Sequence, residues 1–510
     1  MIFVSMTAYG QSAKVAGSET VKVYSNAPTA PVLKGLAANP LLCIKVYVPG
    51  GNTTSGYDAI ECSLNREGIN LIEKLEVYFT DSEPLFAPTN LIASVTALAQ
   101  KFTIPVKLEL NPGWHYIWVS AKLKADAVIN TSIEFHATLL KGTTGKAQPI
   151  TEKKSMFKKY TGNAVRKAGD DNVNSYRIPG ITTTDKGTLL SVYDVRYKNS
   201  GDLPGDIDVG MSRSTDGGKT WEPMKIVMDM GAPNENNGIG DPAILFDPVT
   251  KKIWIAALWS KGNRSIAGSK PGLSPDTTGQ FVLVSSDDDG LTWSAPHNIT
   301  TEVKNPAWHL FFNGPGNGMA MRDGKIVFAA QYWDEKRMPW STIVFSDDHG
   351  ASWKGKIAGP KSNTTESQVV ETIPGTIMLN MRDNRGAFRS VATTKDMGQK
   401  WMEHITSYNA LPDPVCMGSI IKAKVNVKGQ MKEVLFFSNP NSPNGRFDIT
   451  VKASLDMGET WESANQLLID ERKCFGYSAL TKIDDHTIGL VYEGTRDLYF
   501  VRIPVADIIK

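Results

Sequence analysis

The segment Ser214-Thr-Asp216-Gly-Gly218-Lys-Thr220-Trp221 recurs, with changes, four more times along the chain. The other copies keep a hydroxyl residue, an Asp, a Gly and a Trp at the same positions, and they span residues 286–293, 346–353, 394–401 and 454–461. The fourth copy carries Lys400 where the others have Thr or Ser before the Trp. Successive Trp residues are 72, 60, 48 and 60 positions apart, so the copies mark a repeated structural unit.

Each copy follows a run typical of a β-strand, such as Phe281-Val-Leu-Val or Thr342-Ile-Val-Phe, and is therefore predicted to be a tight turn. The Asp carboxylate and the hydroxyl can accept backbone N–H groups within the loop, and Gly permits a positive φ. The Trp ring can insert between neighbouring strands. These turns are predicted to be structural rather than catalytic. Repeats of about 50–70 residues with several strands are typical of β-propeller blades, and residues 156–510 would hold six.

Residues 1–155 contain no copy of the repeat and are predicted to form a smaller, separate β-sandwich. Strand-like runs such as Leu42-Cys-Ile-Lys-Val-Tyr-Val and Trp114-His-Tyr-Ile-Trp-Val alternate there with turn signals. Trp114, Tyr116 and Trp118 alternate along one strand face, which favours packing into a core, with a sugar-binding platform as the alternative. The predicted fold class is all-β, a six-bladed β-propeller preceded by a β-sandwich.

The composition is that of an ordinary folded protein. The chain has 510 residues, 55 basic and 53 acidic side chains, and a formal net charge of +2. Hydrophobic residues make up 41% of the chain, which excludes a disordered or collagen-like protein. The near-zero net charge gives no basis for a nucleic-acid partner.

The four cysteines, Cys43, Cys62, Cys416 and Cys474, match no metal-binding or redox spacing. They are interpreted as buried small hydrophobic residues, with a Cys43–Cys62 disulfide as the alternative. The first 13 residues are mildly apolar but lack a basic region and a full hydrophobic segment, so they are at best a signal-peptide remnant. No run of 18 apolar residues predicts a transmembrane helix.

The motif Ser175-Tyr-Arg-Ile-Pro-Gly180 precedes the first turn repeat. Together with the five repeats, it makes residues 160–510 resemble the sialidases (exo-α-neuraminidases), and the preceding region more loosely resembles the β-sandwich of some bacterial members. The resemblance implies a six-bladed catalytic propeller at 156–510, a carbohydrate-binding-like domain at 1–155, and a secreted or periplasmic location. It also implies sialylated glycoproteins, glycolipids and oligosaccharides as partners, with no metal or organic cofactor.

In such enzymes three arginines bind the substrate carboxylate, and the matching positions are Arg177, Arg382 and Arg446. A carboxylate presents two oxygens in a plane, and guanidinium groups pair with them with a permanent charge. Any one of these arginines alone would more simply be explained as a surface ion pair. Their three matching positions favour the functional interpretation.

The resemblance assigns Tyr477, in Phe475-Gly-Tyr-Ser, as the nucleophile and Glu366 as its partner carboxylate. A phenol has a pKa near 10, so a carboxylate within hydrogen-bond reach is needed to accept its proton during attack. A neutral phenol avoids the repulsion that an Asp or Glu nucleophile would meet from the carboxylate on the anomeric carbon. Sialidases are the tyrosine exception among glycosidases.

The acid/base residue is expected on the loop after Arg196, which offers Asp202, Asp206 and Asp208. Spacing within the resemblance favours Asp202, and Asp206 is the alternative. The remaining supporting residues implied by the resemblance are Arg196 and Asp241, facing the sugar, and Glu493, holding the first arginine.

Three alternatives to hydrolysis by an exo-sialidase stay open at this stage. A trans-sialidase and an intramolecular, anhydro-forming sialidase would share every residue named above. A non-catalytic glycan-binding propeller is less compatible, because a binder has no need of a tyrosine nucleophile, a partner glutamate and an acidic loop together.

Overall fold

The computed structural model describes residues 20–51, 54–129, 131–153, 157–231, 237–262 and 264–510. Within these ranges the protein is all-β, as the sequence predicted. Helical structure is confined there to short segments: α1 (Arg66–Leu71), α2 (Thr300–Val303), α3 (Val505–Ile508) and 3-10 turns at Asp170–Asn172, Ile266–Gly268 and Ser463–Asn465. No helix in the described part has the length and apolar character needed to cross a bilayer. The apolar segment at residues 1–13 lies outside the described ranges.

The first twelve strands are β1 (Lys22–Asn26), β2 (Val32–Lys34), β3 (Asn39–Val48), β4 (Ser55–Leu64), β5 (Ile72–Asp81), β6 (Leu91–Val95), β7 (Lys101–Leu110), β8 (Gly113–Leu123), β9 (Ser132–Gly142), β10 (Ala147–Pro149), β11 (Thr151–Glu152) and β12 (Lys158–Arg166). One sheet has the order β11-β1-β3-β8-β5-β6. In a second group, β4 pairs with β7 and β9, and β9 pairs with β10. The helix α1 begins where the Asn65 side chain accepts a hydrogen bond from Gly68 N at 3.0 Å.

The chain divides into two compact units, and each unit is made of several separate segments of the chain. The smaller unit holds the residues through Pro28, Pro40–Lys122 and Glu134–Lys158, whereas Thr29–Asn39 and Leu123–Ile133 belong to the larger unit. The first of these two segments joins the larger unit because β2 pairs in parallel with β12. The expected boundary at 155/156 falls within residues 154–156, which lie outside the described ranges.

The larger unit adds β13 (Ser175–Thr183), β14 (Leu189–Arg196), β15 (Ile207–Ser214), β16 (Lys225–Met228), β17 (Ile239–Phe246), β18 (Ile253–Trp259), β19 (Gln280–Ser286), β20 (His297–Asn298), β21 (Leu310–Asn313), β22 (Gly316–Asn317), β23 (Met319–Ala320), β24 (Ile326–Trp333), β25 (Pro339–Ser346), β26 (Thr364–Glu371), β27 (Ile377–Asp383), β28 (Ala387–Phe388), β29 (Ser390–Thr394), β30 (Met402–Glu403), β31 (Pro412–Asp413), β32 (Ser419–Val427), β33 (Gln430–Pro440), β34 (Ile449–Ser454), β35 (Gln466–Asp470), β36 (Ser478–Asp484), β37 (Thr487–Glu493) and β38 (Leu498–Pro504). Antiparallel pairing of neighbours dominates these strands. Five successive sheets have the orders β13-β14-β15-β16, β22-β17-β18-β19-β20, β21-β24-β25 with β23, β26-β27-β29-β30 and β32-β33-β34-β35. In the sixth, β36, β37 and β38 are followed by β12.

Hydrophobic clusters lie between successive sheets of the larger unit. The cluster between the first and second sheets includes Leu190 and Ile255, and the one between the fifth and sixth includes Val451 and Leu490. A further cluster joins the sixth sheet back to the first through Ile181, Leu189, Ala479, Val491 and Phe500. Each sheet is therefore buried on both faces by its neighbours, which explains why apolar residues fill both faces of strands such as β14.

The turn repeats form the hydrogen bonds that the sequence predicted. In the first copy, Ser214 Oγ accepts a hydrogen bond from Gly218 N at 2.9 Å, and Asp216 Oδ1 accepts one from Thr220 N at 3.0 Å. Gly218 has a φ of +85°, and the Trp ring of this copy lies 5.1 Å from the ring of Phe500 on the sixth sheet. In the fourth copy Lys400 N still donates to Asp396 Oδ1, but Lys400 has no hydroxyl to donate the second bond that Thr220 donates to Asp216 in the first copy. The repeats close each turn and anchor it on a neighbouring sheet.

The expected aromatic face of β8 is only partly buried. Trp118 is 8% exposed, in agreement with the core prediction, but Trp114 is 44% exposed, so that prediction is wrong at this position. The four cysteines are free. The alternative of a Cys43–Cys62 disulfide is therefore wrong.

Candidate active site

The predicted site residues come from strand ends at one edge of several sheets. Arg177 lies near the start of β13, Glu366 near the start of β26, and Tyr477 directly before β36. Arg382 and Glu493 lie at the ends of β27 and β37, the second strands of their sheets. The second strand of each sheet runs antiparallel to the first, so the end of the second strand lies beside the start of the first. The 3.0 Å hydrogen bond from Glu493 N, at the end of β37, to Tyr477 O, directly before β36, shows this arrangement.

Glu493 is fully buried and accepts three hydrogen bonds at this edge. Its Oε1 accepts from Arg177 Nε at 3.1 Å and from Ile178 N at 2.9 Å, and its Oε2 accepts from Tyr477 N at 2.9 Å. Burial alone would lower the pKa of Arg177, but Glu493 and the neighbouring negative groups raise it above its ordinary value. One carboxylate therefore fixes both an arginine side chain and the backbone of Tyr477.

The Tyr477 hydroxyl lies between a carboxylate and a guanidinium group. It donates a short hydrogen bond to Glu366 Oε1, and Arg382 Nη1 donates to the hydroxyl oxygen at 3.1 Å and to Glu366 Oε2 at 2.7 Å. Burial and the charge of Glu366 raise the pKa of Tyr477 well above its ordinary value. The phenol is therefore protonated in the resting protein, with an acceptor for its proton already in contact.

Arg446 differs from the other two predicted clamp arginines in its partners. Its Nη1 donates to Phe475 O at 2.9 Å and its Nη2 donates to Val415 O at 3.1 Å, while its guanidinium carbon lies 5.7 Å from the centroid of the Tyr477 ring. Among the described residues, no carboxylate lies within 4.0 Å of this guanidinium. Its positive charge is held in place by backbone carbonyls and is left without a neutralising partner.

Asp202 is the acid of its loop that lies beside the arginines. Its side chain is 68% exposed, and Oδ1 lies 2.8 Å from Arg196 Nη1 and 3.5 Å from Arg177 Nη1. Burial opposes its ionised form, but these two guanidinium groups outweigh that effect and hold the pKa of Asp202 below its usual range. Asp206, the alternative, instead pairs with Lys198 at 3.6 Å.

The third acid of that loop, Asp208, is bound away from the arginines. Its Oδ2 accepts a hydrogen bond from the Tyr197 hydroxyl at 2.9 Å. Burial, with the charges of Asp229 and Asp206, raises the pKa of Asp208 to about 7, although the Tyr197 bond opposes the shift. The geometry thus separates Asp202 from the other two acids.

Asp194 is a buried acid that the sequence analysis did not assign. Its Oδ2 accepts from Arg196 Nη2 at 2.8 Å, and its Oδ1 accepts from Asp241 N at 2.8 Å, so it joins the two predicted sugar-facing residues. Burial and the charges of Asp194, Glu366 and Asp202 raise the pKa of Asp241 well above its usual range. The signal for Asp194 was its position two residues before Arg196, which places both side chains on one strand face.

Phe475 is a second residue that the sequence analysis left without a role. Its ring centroid lies 4.5 Å from the guanidinium carbon of Arg177, while its carbonyl oxygen binds Arg446. The next residue, Gly476, has a φ of +97°, and a Cβ there would lie 3.1 Å from Arg446 Cδ. A glycine is thus required where the backbone passes close to Arg446.

A separate cavity of about 620 Å³ lies at the opposite ends of the same first strands. It is lined by the far ends of β13, β26 and β36, with Glu371 among its charged residues. The Glu371 carboxylate is already bound by Arg322 N at 3.0 Å and Gly375 N at 2.8 Å. None of the predicted site residues lines this cavity.

Comparison with known proteins identifies the family of the chain. The family model described as "BNR repeat-like domain" matches residues 187–492, and that described as "N-terminal domain of BNR-repeat neuraminidase" matches residues 20–146. A sialidase of Bacteroides fragilis (strain YCH46) is 43% identical over 484 residues, which cover 87% of this chain and 88% of that protein. The chain belongs to the sialidase family. Membership of this family makes the protein a glycoside hydrolase.

Solved structures add to the family assignment. A Hadza microbial sialidase superposes with a TM-score of 0.89 at 38% identity, over 95% of this chain and all of that one. The intramolecular trans-sialidase from Ruminococcus gnavus superposes with a TM-score of 0.57 at 18% identity, over 66% of this chain and 96% of that chain. The second match shows a shared fold.

Proposed function

We propose that the protein is a retaining exo-sialidase that hydrolyses terminal α-linked sialic acids from glycoproteins, glycolipids and oligosaccharides through a sialyl-tyrosine intermediate. Membership of the sialidase family supports the substrate class. The observation that carries the mechanism is the contact of the Tyr477 hydroxyl with both Glu366 and Arg382. A buried tyrosine bound to one carboxylate and one guanidinium, beside two more arginines, suits nucleophilic attack on an anionic sugar.

The three arginines would bind and orient the substrate carboxylate. Arg177 and Arg382 are held by Glu493 and Glu366, whereas Arg446 has no carboxylate among the described residues and supplies an uncompensated charge. Charge-assisted, forked hydrogen bonds from such groups fix a planar carboxylate in one orientation. That orientation would set the anomeric carbon over the Tyr477 hydroxyl.

Covalent catalysis would then proceed in two displacements. As the glycosidic bond breaks, Tyr477 Oη forms a bond to the anomeric carbon and gives its proton to Glu366, while the leaving oxygen receives a proton from Asp202. Water, deprotonated by Asp202, then attacks the same carbon and breaks its bond to Tyr477 Oη, which takes back its proton from Glu366. Two inversions give net retention of configuration.

Substrate binding would also prepare Asp202 for its role as an acid. In the free protein its carboxylate is ionised because it pairs with Arg196 and Arg177. A substrate carboxylate on Arg177 would replace one of these contacts and place a negative charge nearby. Both changes favour the protonated form that the first step requires.

We propose that the larger unit is a six-bladed β-propeller. Six sheets in sequence order, hydrophobic clusters between successive sheets, and a cluster between the sixth and first sheets support this arrangement. The assignment of residues 1–155 as a β-sandwich and 156–510 as the catalytic domain remains part of the same proposal. We further propose a secreted or periplasmic location, where glycans of cell surfaces and secretions are accessible.

The test of the mechanism compares two buried tyrosines of the sixth sheet. Tyr477→Phe should reduce the turnover of an aryl sialoside by at least about 10³-fold, because the nucleophile is lost. Tyr492→Phe is the matched control, since Tyr492 is also buried and donates to a carboxylate, that of Asp470, at 2.9 Å. Turnover of Tyr477→Phe near the wild-type rate would refute the assignment.

A trapping experiment identifies the covalent step directly. A fluorinated sialosyl fluoride, which slows the second displacement, should add one sialosyl group to the peptide that contains Tyr477. Product analysis by NMR from one sialoside separates release of free sialic acid from transfer to an acceptor or formation of an anhydro-sugar. Free sialic acid, first released in the configuration of the substrate, is the expected product.

A further inference from the structure

Val415, which lies beside Arg446, has an unfavourable backbone conformation. Its φ is +59°, and among the described residues it shares a positive φ with one other β-branched residue, Ile178. A β-branched side chain is an outlier in this region, because its Cβ approaches the following carbonyl. With Pro414 before it, Val415 takes the place in a type II turn that favours Gly. Such a conformation persists only where the surrounding structure imposes it.

The carbonyl of Val415 is one of two that hold Arg446. Val415 O accepts from Arg446 Nη2 at 3.1 Å, and Phe475 O accepts from Nη1 at 2.9 Å. Cys416 Sγ lies 3.9 Å from Phe475 O, so the segments that supply the two carbonyls are in contact. Two acceptors on the two ends of one planar guanidinium fix its orientation. The direction of the Val415 carbonyl therefore determines where Arg446 points.

A buried ion pair holds the peptide group that contains this carbonyl. Asp413 and Arg389 are 1% and 0% exposed, and Asp413 Oδ2 lies 3.4 Å from Arg389 Nη1. Asp413 Oδ1 accepts from Cys416 N at 2.8 Å, and Arg389 Nη1 donates to Cys416 O. Cys416 N and Val415 O belong to the same planar peptide group and point in opposite directions. The bond to Asp413 therefore aims the Val415 carbonyl.

Arg389 is itself fixed to the strand that carries another clamp arginine. Its Nε donates to Asn380 Oδ1 at 2.7 Å, and its Nη2 donates to Asn380 O at 3.2 Å. Asn380 lies on β27, two residues before Arg382. Because Arg389 is fully buried, its charge serves these internal contacts and is not available to a substrate.

We propose that Asp413 and Arg389 are positioning residues for Arg446. They hold the peptide group between Val415 and Cys416 so that its carbonyl oxygen aims the Arg446 guanidinium at the substrate carboxylate. Without them, Val415 would relax to a negative φ, and Arg446 would keep only one of its two carbonyl partners. Substrate would then bind more weakly although no group that touches it had been removed. The inference rests on the proposed function for the role of Arg446.

The first test compares two substitutions of Asp413. Both remove the charge beside Arg389, so both should lower the midpoint of urea unfolding, but Asp413→Asn keeps an oxygen that can accept from Cys416 N. Asp413→Ala should raise KM for an aryl sialoside about tenfold with kcat changed less than about threefold, because the substrate carboxylate is bound throughout the reaction. Asp413→Asn should keep KM within about threefold of wild type. Equal increases in KM for the two variants would overturn the proposal.

Substitutions of Val415 separate backbone conformation from side-chain packing. Gly and Ala both remove the branched side chain, but Gly adopts a positive φ readily. In the Asp413→Ala background, KM should be at least about threefold lower with Val415→Gly than with Val415→Ala. In the otherwise unaltered protein, Val415→Gly should unfold at a urea concentration no lower than Val415→Ala. A lower midpoint for the Gly variant would contradict the imposed conformation, whether or not Asp413→Ala folds.

A double variant tests whether Asp413 acts through Arg446. In the Arg446→Gln background, Asp413→Ala should lower kcat/KM by less than about twofold more, and a full tenfold loss there would overturn the proposal. Asp289→Ala is the matched control, since Asp289 is 8% exposed, pairs with Arg213 at 2.8 Å and binds Thr184, beyond the far end of β13. It should lower stability without changing KM, and an increase equal to that of Asp413→Ala would show that KM reports stability alone.

Binding measurements keep this inference distinct from the proposed function. Calorimetric titration with free sialic acid should give affinities that change among the variants as KM does. A protein that cleaves no sialoside but shows this pattern of affinities would disprove the proposed function alone. Cleavage with an unchanged KM in Asp413→Ala would disprove only the inference, and absence of both cleavage and binding would disprove both.

Discussion

Two of the proposed clamp arginines, Arg177 and Arg446, should give similar losses of activity but different losses of stability when replaced. Arg177 is buried against Glu493, which is itself fully buried, whereas Arg446 is held by the backbone carbonyls of Phe475 and Val415. Replacing either arginine by Gln removes charge-assisted hydrogen bonds to the substrate, each worth about 1.5–3 kcal/mol. Both variants should therefore lose at least about 10-fold to 150-fold in kcat/KM.

The stability effects follow from what each substitution leaves behind. Arg177→Gln leaves the Glu493 carboxylate in the interior without its counter-charge, a change that costs about 3–5 kcal/mol in buried pairs. The lower end of that range applies, because two backbone N–H groups still bind the carboxylate. Arg446→Gln strands no charge, and the new amide can still donate to one carbonyl, so its cost should be about 1 kcal/mol.

Urea unfolding followed by tryptophan fluorescence measures the difference, with kcat/KM for an aryl sialoside measured in parallel. Adding Glu493→Gln to Arg177→Gln removes the stranded charge, so the double variant should be more stable than the two single effects predict by addition. Equal destabilisation by Arg446→Gln and Arg177→Gln would refute the reasoning. So would a double variant whose stability is simply additive.

Three further predictions concern other parts of the structure. Gly218→Ala should destabilise the protein by about 2–5 kcal/mol in thermal and urea unfolding, since φ is +85° and the Cβ would lie 2.1 Å from the Phe500 ring, whereas Gly187→Ala, with a φ of +79° and open space, should cost only about 1–2 kcal/mol. Because the pKa of Asp241 is raised, its proton stabilises the folded state fully at low pH, and this contribution is lost as pH rises through the folded-state pKa. Asp241→Asn should remove that pH dependence from the free energy of unfolding, and an unchanged pH profile would contradict it. Asp202→Ala should slow natural sialosides more than aryl sialosides with good leaving groups, and an equal loss on both would argue against its role as the acid.

The turn repeats could be predicted from sequence because their bonds are local. Donor and acceptor in each repeat lie within four residues, so side-chain type and spacing determine the geometry. The all-β class followed from those turns and the strand-like runs between them. The resemblance supplied the nine predicted site residues, and in the structure they form one connected set of contacts, with Asp194 and Phe475 as links.

Other features depend on contacts between distant residues, which spacing does not reveal. Arg177 and Glu493 are 316 positions apart, and their contact arises only when the first and sixth sheets are formed. The segment Thr29–Asn39 belongs to the larger unit because β2 pairs in parallel with β12. A strand of three residues gives no signal in the sequence for such a pairing. The acid Asp194 could have been found, because alternation along a strand places it beside Arg196.

The sixth sheet has a consequence for biosynthesis. It joins β36, β37 and β38 to β12, and it carries both Tyr477 and the Glu493 that anchors Arg177. A nascent chain that has emerged as far as β35 contains all five turn repeats but neither Tyr477, the proposed nucleophile, nor that anchor. On the proposed mechanism, sialoside cleavage begins only after this sheet has been translated, and a polypeptide terminated before it would be inert however well its earlier sheets had folded.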